Sequence, residues 1–242
     1  MKGLQLPLGV QLSETASFQT FHAGPNAEVL EALKGAARGA APPLLFIYGA
    51  AGMGKSHLLQ ALTRDASGQR LCAYLPLGQL KDEAPADVLE GLHATELLCL
   101  DDFHAVVALP DWPLALLRVL DQVRAHGGVA VVAADAAPER LALTLPDLRT
   151  RLTAAAVYGR KAMSDDDRAQ FLVDRARARG LELPLDAARY LLARLPRDAG
   201  SLLSALAALD SGLVSAQRRL TVAFVQQWLR EDVSFRAQRG IS

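Results

Sequence analysis

Excess charge of either sign is missing from this chain. In 242 residues, 26 Lys and Arg stand against 26 Asp and Glu. Affinity for duplex DNA comes largely from neutralising phosphates, so a chain without a cationic surplus is not expected to bind DNA autonomously and sequence-specifically. Cysteine is scarce too. Cys72 and Cys99 each lie inside an apolar, strand-like run without metal-ligand spacing. That pattern excludes a disulfide framework and points to buried thiols in a reducing compartment. No charged-then-apolar leader opens the sequence, and no apolar run approaches the roughly 20 residues that span a bilayer. The expectation is a cytoplasmic protein with no membrane partner. Aromatics make up 5% of residues while the apolar fraction is 51% and the charged fraction 21%. This is an aliphatic-cored globular chain, long enough for one large domain or a core domain plus a small one. No internal repeat stands out.

What is present centres on Gly49-Ala50-Ala51-Gly52-Met53-Gly54-Lys55-Ser56. The apolar run Leu44-Leu45-Phe46-Ile47-Tyr48 precedes it and His57-Leu58-Leu59-Gln60-Ala61-Leu62 follows. A buried strand thus feeds a glycine turn that opens an amphipathic helix, the context a phosphate-binding P-loop requires. Glycines let successive N–H groups point at phosphate oxygens, and the helix start adds partial positive charge. Lys55 is placed to reach the outer phosphates and the Ser56 hydroxyl to hold a magnesium ion (Mg2+), which prefers hard oxygen ligands.

Upstream, Gln5-Leu6-Pro7-Leu8 sits in a proline-broken tail read as unfolded, either plainly disordered or a docking peptide. The segment Phe21 to Asn26, including Gly24, is a candidate to close over a base, with core packing by Phe18 and Phe21 as the alternative. Asn26 also suits a helix cap. Downstream, apolar runs at Leu71–Leu75, Leu97–Leu100, Val129–Ala133 and Ala154–Tyr158 alternate with helical stretches, which implies parallel strands joined by crossovers. Leu97-Leu98-Cys99-Leu100 ends in Asp101-Asp102. A carboxylate at that strand end lies beside the loop, where Asp101 would hold magnesium and Asp102 would polarise an attacking water. Asp135, after the next strand, suits either sensing of a terminal phosphate or a turn. Leu148-Arg149-Thr150-Arg151-Leu152 carries two arginines, read as groups acting on a neighbour's phosphates or as solvated surface residues.

From Met163 the pattern becomes all-helical. Ser164-Asp165-Asp166-Asp167 caps a helix to about Arg179, and three more helices follow, over about Leu185–Leu195, Asp198–Ser215 and Thr221–Arg230. Arg197 heads the third. The expected organisation is a flexible tail over 1–14, an α/β core with a five-stranded parallel sheet flanked by helices over 15–162, and a small helical lid over 163–242.

With both acidic and glycine signatures, the late arginine pair and a helical lid in that order, the chain resembles the AAA+ ATPases. It is most similar to the nucleotide-binding domain of the bacterial initiator DnaA. The Gly-x-x-Gly-x-Gly-Lys-Ser-His-Leu loop, Asp101-Asp102 and Leu148–Leu152 carry that resemblance over about residues 15–232. DnaA continues past its lid into a DNA-reading helix-turn-helix, whereas this sequence stops soon after the fourth lid helix. The Gln5-Leu6-Pro7-Leu8 tail resembles the peptide by which replication proteins dock on the sliding clamp through a glutamine and spaced aliphatic residues. Leu181-Glu182-Leu183-Pro184 and Ala216–Val225 are similar to the lid of the regulatory inactivators of DnaA, the Hda family.

The resemblance implies a negative regulator of replication initiation that binds ADP or ATP with Mg2+. Its partners would be DnaA and, through Gln5, Leu6 and Leu8, the clamp. The loop from Gly49 to His57 would hold the nucleotide, Arg197 would sense it from the lid, and Arg151 would be the finger that acts on ATP bound to DnaA. Self-association into a homo-oligomer is compatible with the class. The alternative is an ATP-driven assembly factor such as a helicase-loading relative of DnaA.

Overall fold

In the computed structural model, residues 4–5, 12–13, 16–19, 21, 23–196, 199–211 and 219–231 are described. The chain divides into two compact units, Met1–Lys161 and Ala162–Ser242.

The first unit is built on a parallel sheet whose strands are β1 (Leu4–Gln5), β2 (Leu44–Tyr48), β3 (Cys72–Pro76), β4 (Leu97–Asp101), β5 (Val129–Ala134) and β6 (Ala156–Gly159). Their order across the sheet is β1-β3-β4-β5-β2-β6. Strands β2 to β6 are the five expected ones. Added to them is β1, where Leu4 and Gln5 pair in parallel with Cys72 and Ala73 of β3 and become the edge of the sheet.

Alternation along each strand sends neighbouring side chains to opposite faces, and here both faces are apolar. Leu45, Ile47, Tyr74, Cys99, Val131 and Ala133 pack beneath α1 (Ala27–Ala37) and α2 (Lys55–Ala66), against Val29, Leu33, Leu58 and Leu62. Phe46, Leu75, Leu98, Leu100 and Val132 face the other way. There they meet Leu116, Leu120 and Val123 of α5 (Trp112–Ala125) and Leu148 and Leu152 of α6 (Pro146–Thr153). Two short helices, α3 (Leu77–Leu80) and α4 (Pro85–Leu89), bridge β3 and β4. Burial on both faces explains why the strands read as continuous apolar runs. Both cysteines are free and buried. Burial pushes the Cys72 thiol up to about 11 and Cys99 up to about 12, so neither presents a thiolate near neutral pH.

The second unit comprises α7 (Asp165–Ala178), α8 (Leu185–Leu192), α9 (Ala199–Ser211) and α10 (Val222–Glu231) around Leu172, Leu191, Leu206, Leu220 and Val225. Ser164 starts α7 with a full capping box: its hydroxyl accepts from the Asp167 N–H at 3.1 Å, and the Asp167 carboxylate accepts from the Ser164 N–H at 2.9 Å. Removing such a cap typically costs about 1 kcal/mol. Ser164→Ala is therefore expected to lower the unfolding free energy of this helical unit by that amount in urea titrations followed by circular dichroism. No helix among the described residues is long and apolar enough to cross a membrane.

Candidate nucleotide-binding site

Strand β2 lies between β5 and β6, so the sheet grows in both directions from it. Open α/β sheets bind ligands at the carboxyl ends of strands so placed, where the strand order reverses. The Gly49–Ser56 loop springs from that end. Gly54, at φ 78°, takes the left-handed conformation that turns the chain into α2. Lys55 is 7% exposed, and its ammonium donates to the Gly49 carbonyl at 2.6 Å and the Ala50 carbonyl at 3.1 Å. Burial lowers its pKa, against the attraction of Asp101, Asp102 and Asp135. The three carboxylates singled out in the sequence therefore all act on this lysine.

Asp101 ends β4 at 1% exposure. Its carboxylate accepts from the Tyr74 hydroxyl at 2.9 Å, from its neighbour's backbone N–H at 3.0 Å and from the Ser56 side chain. Gln60 in turn donates to the Tyr74 oxygen at 3.2 Å. Tyr74 and Gln60, unmarked in the sequence, thus orient the acid from behind. Burial raises the Asp101 pKa despite these bonds. The sign follows. A carboxyl raised in the fold favours the native state below its unfolded pKa, and that advantage disappears as pH rises through the folded pKa. Asp101→Asn is therefore expected to raise the thermal midpoint by a few degrees at pH 7–8 without ligand, with the gain shrinking toward pH ~4. Calorimetry across that range measures it.

Asp102 sits at φ 50°, a conformation uncommon outside glycine and tolerated best by Asn and Asp. Its side chain lies against Gly78, where an added Cβ would stand 3.2 Å from the Asp102 Cβ and carboxylate. Asp135, half-exposed, faces His104 at 3.9 Å.

Phe21 stands against the loop. Its ring lies 3.6 Å from where a Cβ on Gly54 would be and has its centroid 6.1 Å from that of His57. His57 also contacts the Ser17 carbonyl at 3.2 Å. Gly24 begins a 3-10 turn through Asn26 at φ 46°. Asn26 occupies the cap position of α1 without capping it. Its amide is spent elsewhere, donating to the Lys161 carbonyl at 3.0 Å and accepting from the Lys161 N–H at 2.8 Å.

That clasp holds the end of β6, where the residue that sequence reasoning missed stands. Arg160 donates to the Met53 carbonyl at 2.6 Å and lies 4.7 Å over the Phe21 ring. Its stem is so close to Gly49 that a Cβ there would fall 2.8 Å from the Arg160 Cβ. Arginines that follow a strand carry no motif, so only the fold places this one at the loop.

Arg151, on α6, is paired instead with Asp121 of α5 at 2.6 Å, with the two side chains 32% and 44% exposed. Arg149 donates to the Leu143 carbonyl at 3.0 Å and the Glu139 carbonyl at 3.4 Å. Of the remaining candidates, Leu6, Leu8 and Arg197 lie outside the described residues, and Gln5 is described in its backbone alone.

A parallel sheet with this strand order, a lysine-bearing loop off β2, an acid-ended strand β4 one strand removed and a separate helical unit define the AAA+ class of P-loop proteins. Comparison with known proteins narrows this. Residues 12–158 match the family model of the bacterial DnaA ATPase domain, and residues 165–229 that of the Hda lid domain. An uncharacterized protein of Haemophilus influenzae is 34% identical over 227 residues, which cover 93% of this chain and 98% of that one. Among solved structures, AMPPCP-bound DnaA from Aquifex aeolicus superposes with a TM-score of 0.75 at 19% identity, over 95% of this chain and 71% of the other. Domain III of the Thermotoga maritima replication initiation protein DnaA gives 0.74 at 19% identity, over 92% and 98%. The chain belongs to the DnaA-related AAA+ family and carries a lid of the Hda type.

Proposed function

We propose that this chain is a regulatory inactivator. Loaded with an adenine nucleotide and held on the DNA-bound sliding clamp, it accelerates hydrolysis of the ATP carried by DnaA and so restrains re-initiation of replication. The observation that carries the reading is the separation of its cations. The charges acting on Lys55 come from Asp101, Asp102, Asp135 and Arg160, whereas Arg151 is held on α5 and α6 by Asp121. One group serves the chain's own nucleotide, and the other is available to a nucleotide on a neighbour. An arginine so placed stabilises the charge that spreads over a transferring phosphoryl group in trans. The Hda-type lid supports the choice of this branch, and the clamp as partner rests on Gln5-Leu6-Pro7-Leu8.

ADP or ATP would lie along the Gly49–Ser56 loop with Phe21, Gly24, Asn26 and His57 on the base side and Asp135 near the outer phosphate. The donors at the metal position fit magnesium: a hydroxyl and a buried carboxylate, both hard oxygens already in contact. The ion would neutralise phosphate oxygens and supply the positive charge that a buried acid lacks. Ser56 and Asp101 would hold it, Asp102 would orient water for slow turnover by the chain itself, and Arg197 would read the nucleotide from the lid.

The decisive experiment measures conversion of DnaA-bound ATP to ADP with DNA-loaded clamp. The expected result is acceleration that requires both the clamp and residues 1–12 of this chain. Unchanged turnover sinks the proposal. Brisk ATP hydrolysis and ATP-dependent oligomers of the chain alone would favour the loader reading, which the intact Lys55 and Asp102 leave chemically open.

A further inference from the structure

Arg160 combines three features that do not belong together in a purely structural side chain. Its guanidinium is largely buried, enough for desolvation to bring its pKa down to about 10. Its Nε and Nη1 are buried without any hydrogen-bond partner, and no carboxylate among the described residues is paired with it. Its remaining contacts are the Met53 carbonyl and the face of Phe21. A buried guanidinium ordinarily has an anion beside it, because neither a carbonyl nor an aromatic face replaces the hydration it gives up. This one instead adds its charge to that of Lys55, which its field opposes.

The position is also held from both sides. The Arg160 N–H donates to the Tyr48 carbonyl at 2.7 Å, the next residue is clasped by the Asn26 amide, and Gly49 leaves room for the stem. A cation kept at the edge of a phosphate-binding loop, with donors to spare and no counter-ion among the described residues, is short of an anion that comes from outside.

We infer that Arg160 is a second cationic ligand of the nucleotide held by this loop, donating to a phosphate oxygen as the counterpart of Lys55. The inference rests on the reading that the loop binds a nucleotide, and extends it. Nucleotide binding then replaces the Met53 carbonyl with a charged acceptor, so the loop's own conformation is coupled to the ligand through Arg160. Phe21 positions the guanidinium by covering one face.

The test uses the full chain, with ADP and GDP as probes in isothermal titration and thermal unfolding without nucleotide. Arg160→Met keeps the unbranched stem and removes charge and donors. It is expected to weaken both diphosphates equally, by about 10- to 100-fold, while the midpoint without nucleotide stays the same or rises, because the unpaired buried donors are gone. Arg160→Lys, which keeps the charge and loses the planar fork, is expected to fall between parent and Met variant.

Equal affinity of parent and Met variant overturns the inference, as does a lower midpoint at unchanged affinity, which would make Arg160 a strut. A changed preference between ADP and GDP also overturns it, since that would make it a reader of the base. If the parent chain itself takes up no diphosphate, the loop reading fails. If the parent binds and the Met variant binds as well, only the role of Arg160 does.

Discussion

Lys55→Ala is expected to abolish nucleotide binding, weakening it at least about 100-fold, while leaving the protein folded. The asymmetry follows from where the ammonium sits. Two loop carbonyls hold it at 2.6 Å and 3.1 Å, and its 7% exposure takes away most of its hydration. A buried ammonium bonded to neutral carbonyls gives little net stability: each hydrogen bond contributes about 1 kcal/mol, and desolvation offsets it. The alanine variant without ligand should therefore unfold within about 2 kcal/mol of the parent. With a diphosphate the balance differs, because each bond then joins opposite charges. At a nucleotide concentration of about 100 times the parent Kd the parent gains about 2.7 kcal/mol, and the variant should gain no more than about 0.4 kcal/mol. Thermal unfolding with and without ADP and magnesium separates the two terms. An equal nucleotide-induced shift in both proteins would mean that the loop does not carry the diphosphate.

Which parts of this arrangement were legible in the sequence depends on the range of the interaction that creates them. Strands β2 to β5 announce themselves because each is buried on both faces, so their residues are apolar up to Asp101 at the end of β4 and no partner need be known. The loop is legible for a similar reason: Gly52 and Gly54 answer a local demand of the backbone for positive φ. Ser164 is another case, since its capping partner is three residues away. Asn26 shows the limit. Its sequence setting is that of a helix cap, yet its amide bonds Lys161, 135 positions distant, and a side chain has only one set of donors to spend. The tail shows it differently. Nothing in Leu4-Gln5 signals a strand, because its ladder is made of backbone groups that the open edge of β3 supplies. Arg160 and Tyr74 have no local signal at all. Each acquires its role from a strand order that brings β6 and β3 to the loop and to Asp101.

The same dependence on range separates the two arginines of α6, which are equivalent on the page and different in the fold. Arg149 spends its guanidinium on the carbonyls of Leu143 and Glu139, tying α6 to the segment before it. Its replacement by alanine should cost stability of about 1–2 kcal/mol and leave any action on a partner intact. Among the described residues Arg151 meets the carboxylate of Asp121 across a partly exposed surface, with its Nε unpaired. An ion pair of that exposure contributes at most about 1 kcal/mol, enough to aim the side chain and too little to keep it from a phosphate.

Arg151→Ala is accordingly expected to lower the stimulation of DnaA-bound ATP hydrolysis by about 1000-fold or more, the size of effect an arginine supplied in trans has on phosphoryl transfer. Its own affinity for ADP should stay within about 2-fold, because the charges acting on Lys55 do not include it. Asp121→Asn keeps the guanidinium and removes its guide, so a milder loss of about 10-fold is expected. The double variant should be no worse than Arg151→Ala alone, since Asp121 acts only through that side chain. Single-turnover hydrolysis on DNA-loaded clamp, with the four proteins compared at equal ADP occupancy, reads all of these at once. Full stimulation by Arg151→Ala would show that the group entering the partner's site lies elsewhere in the chain.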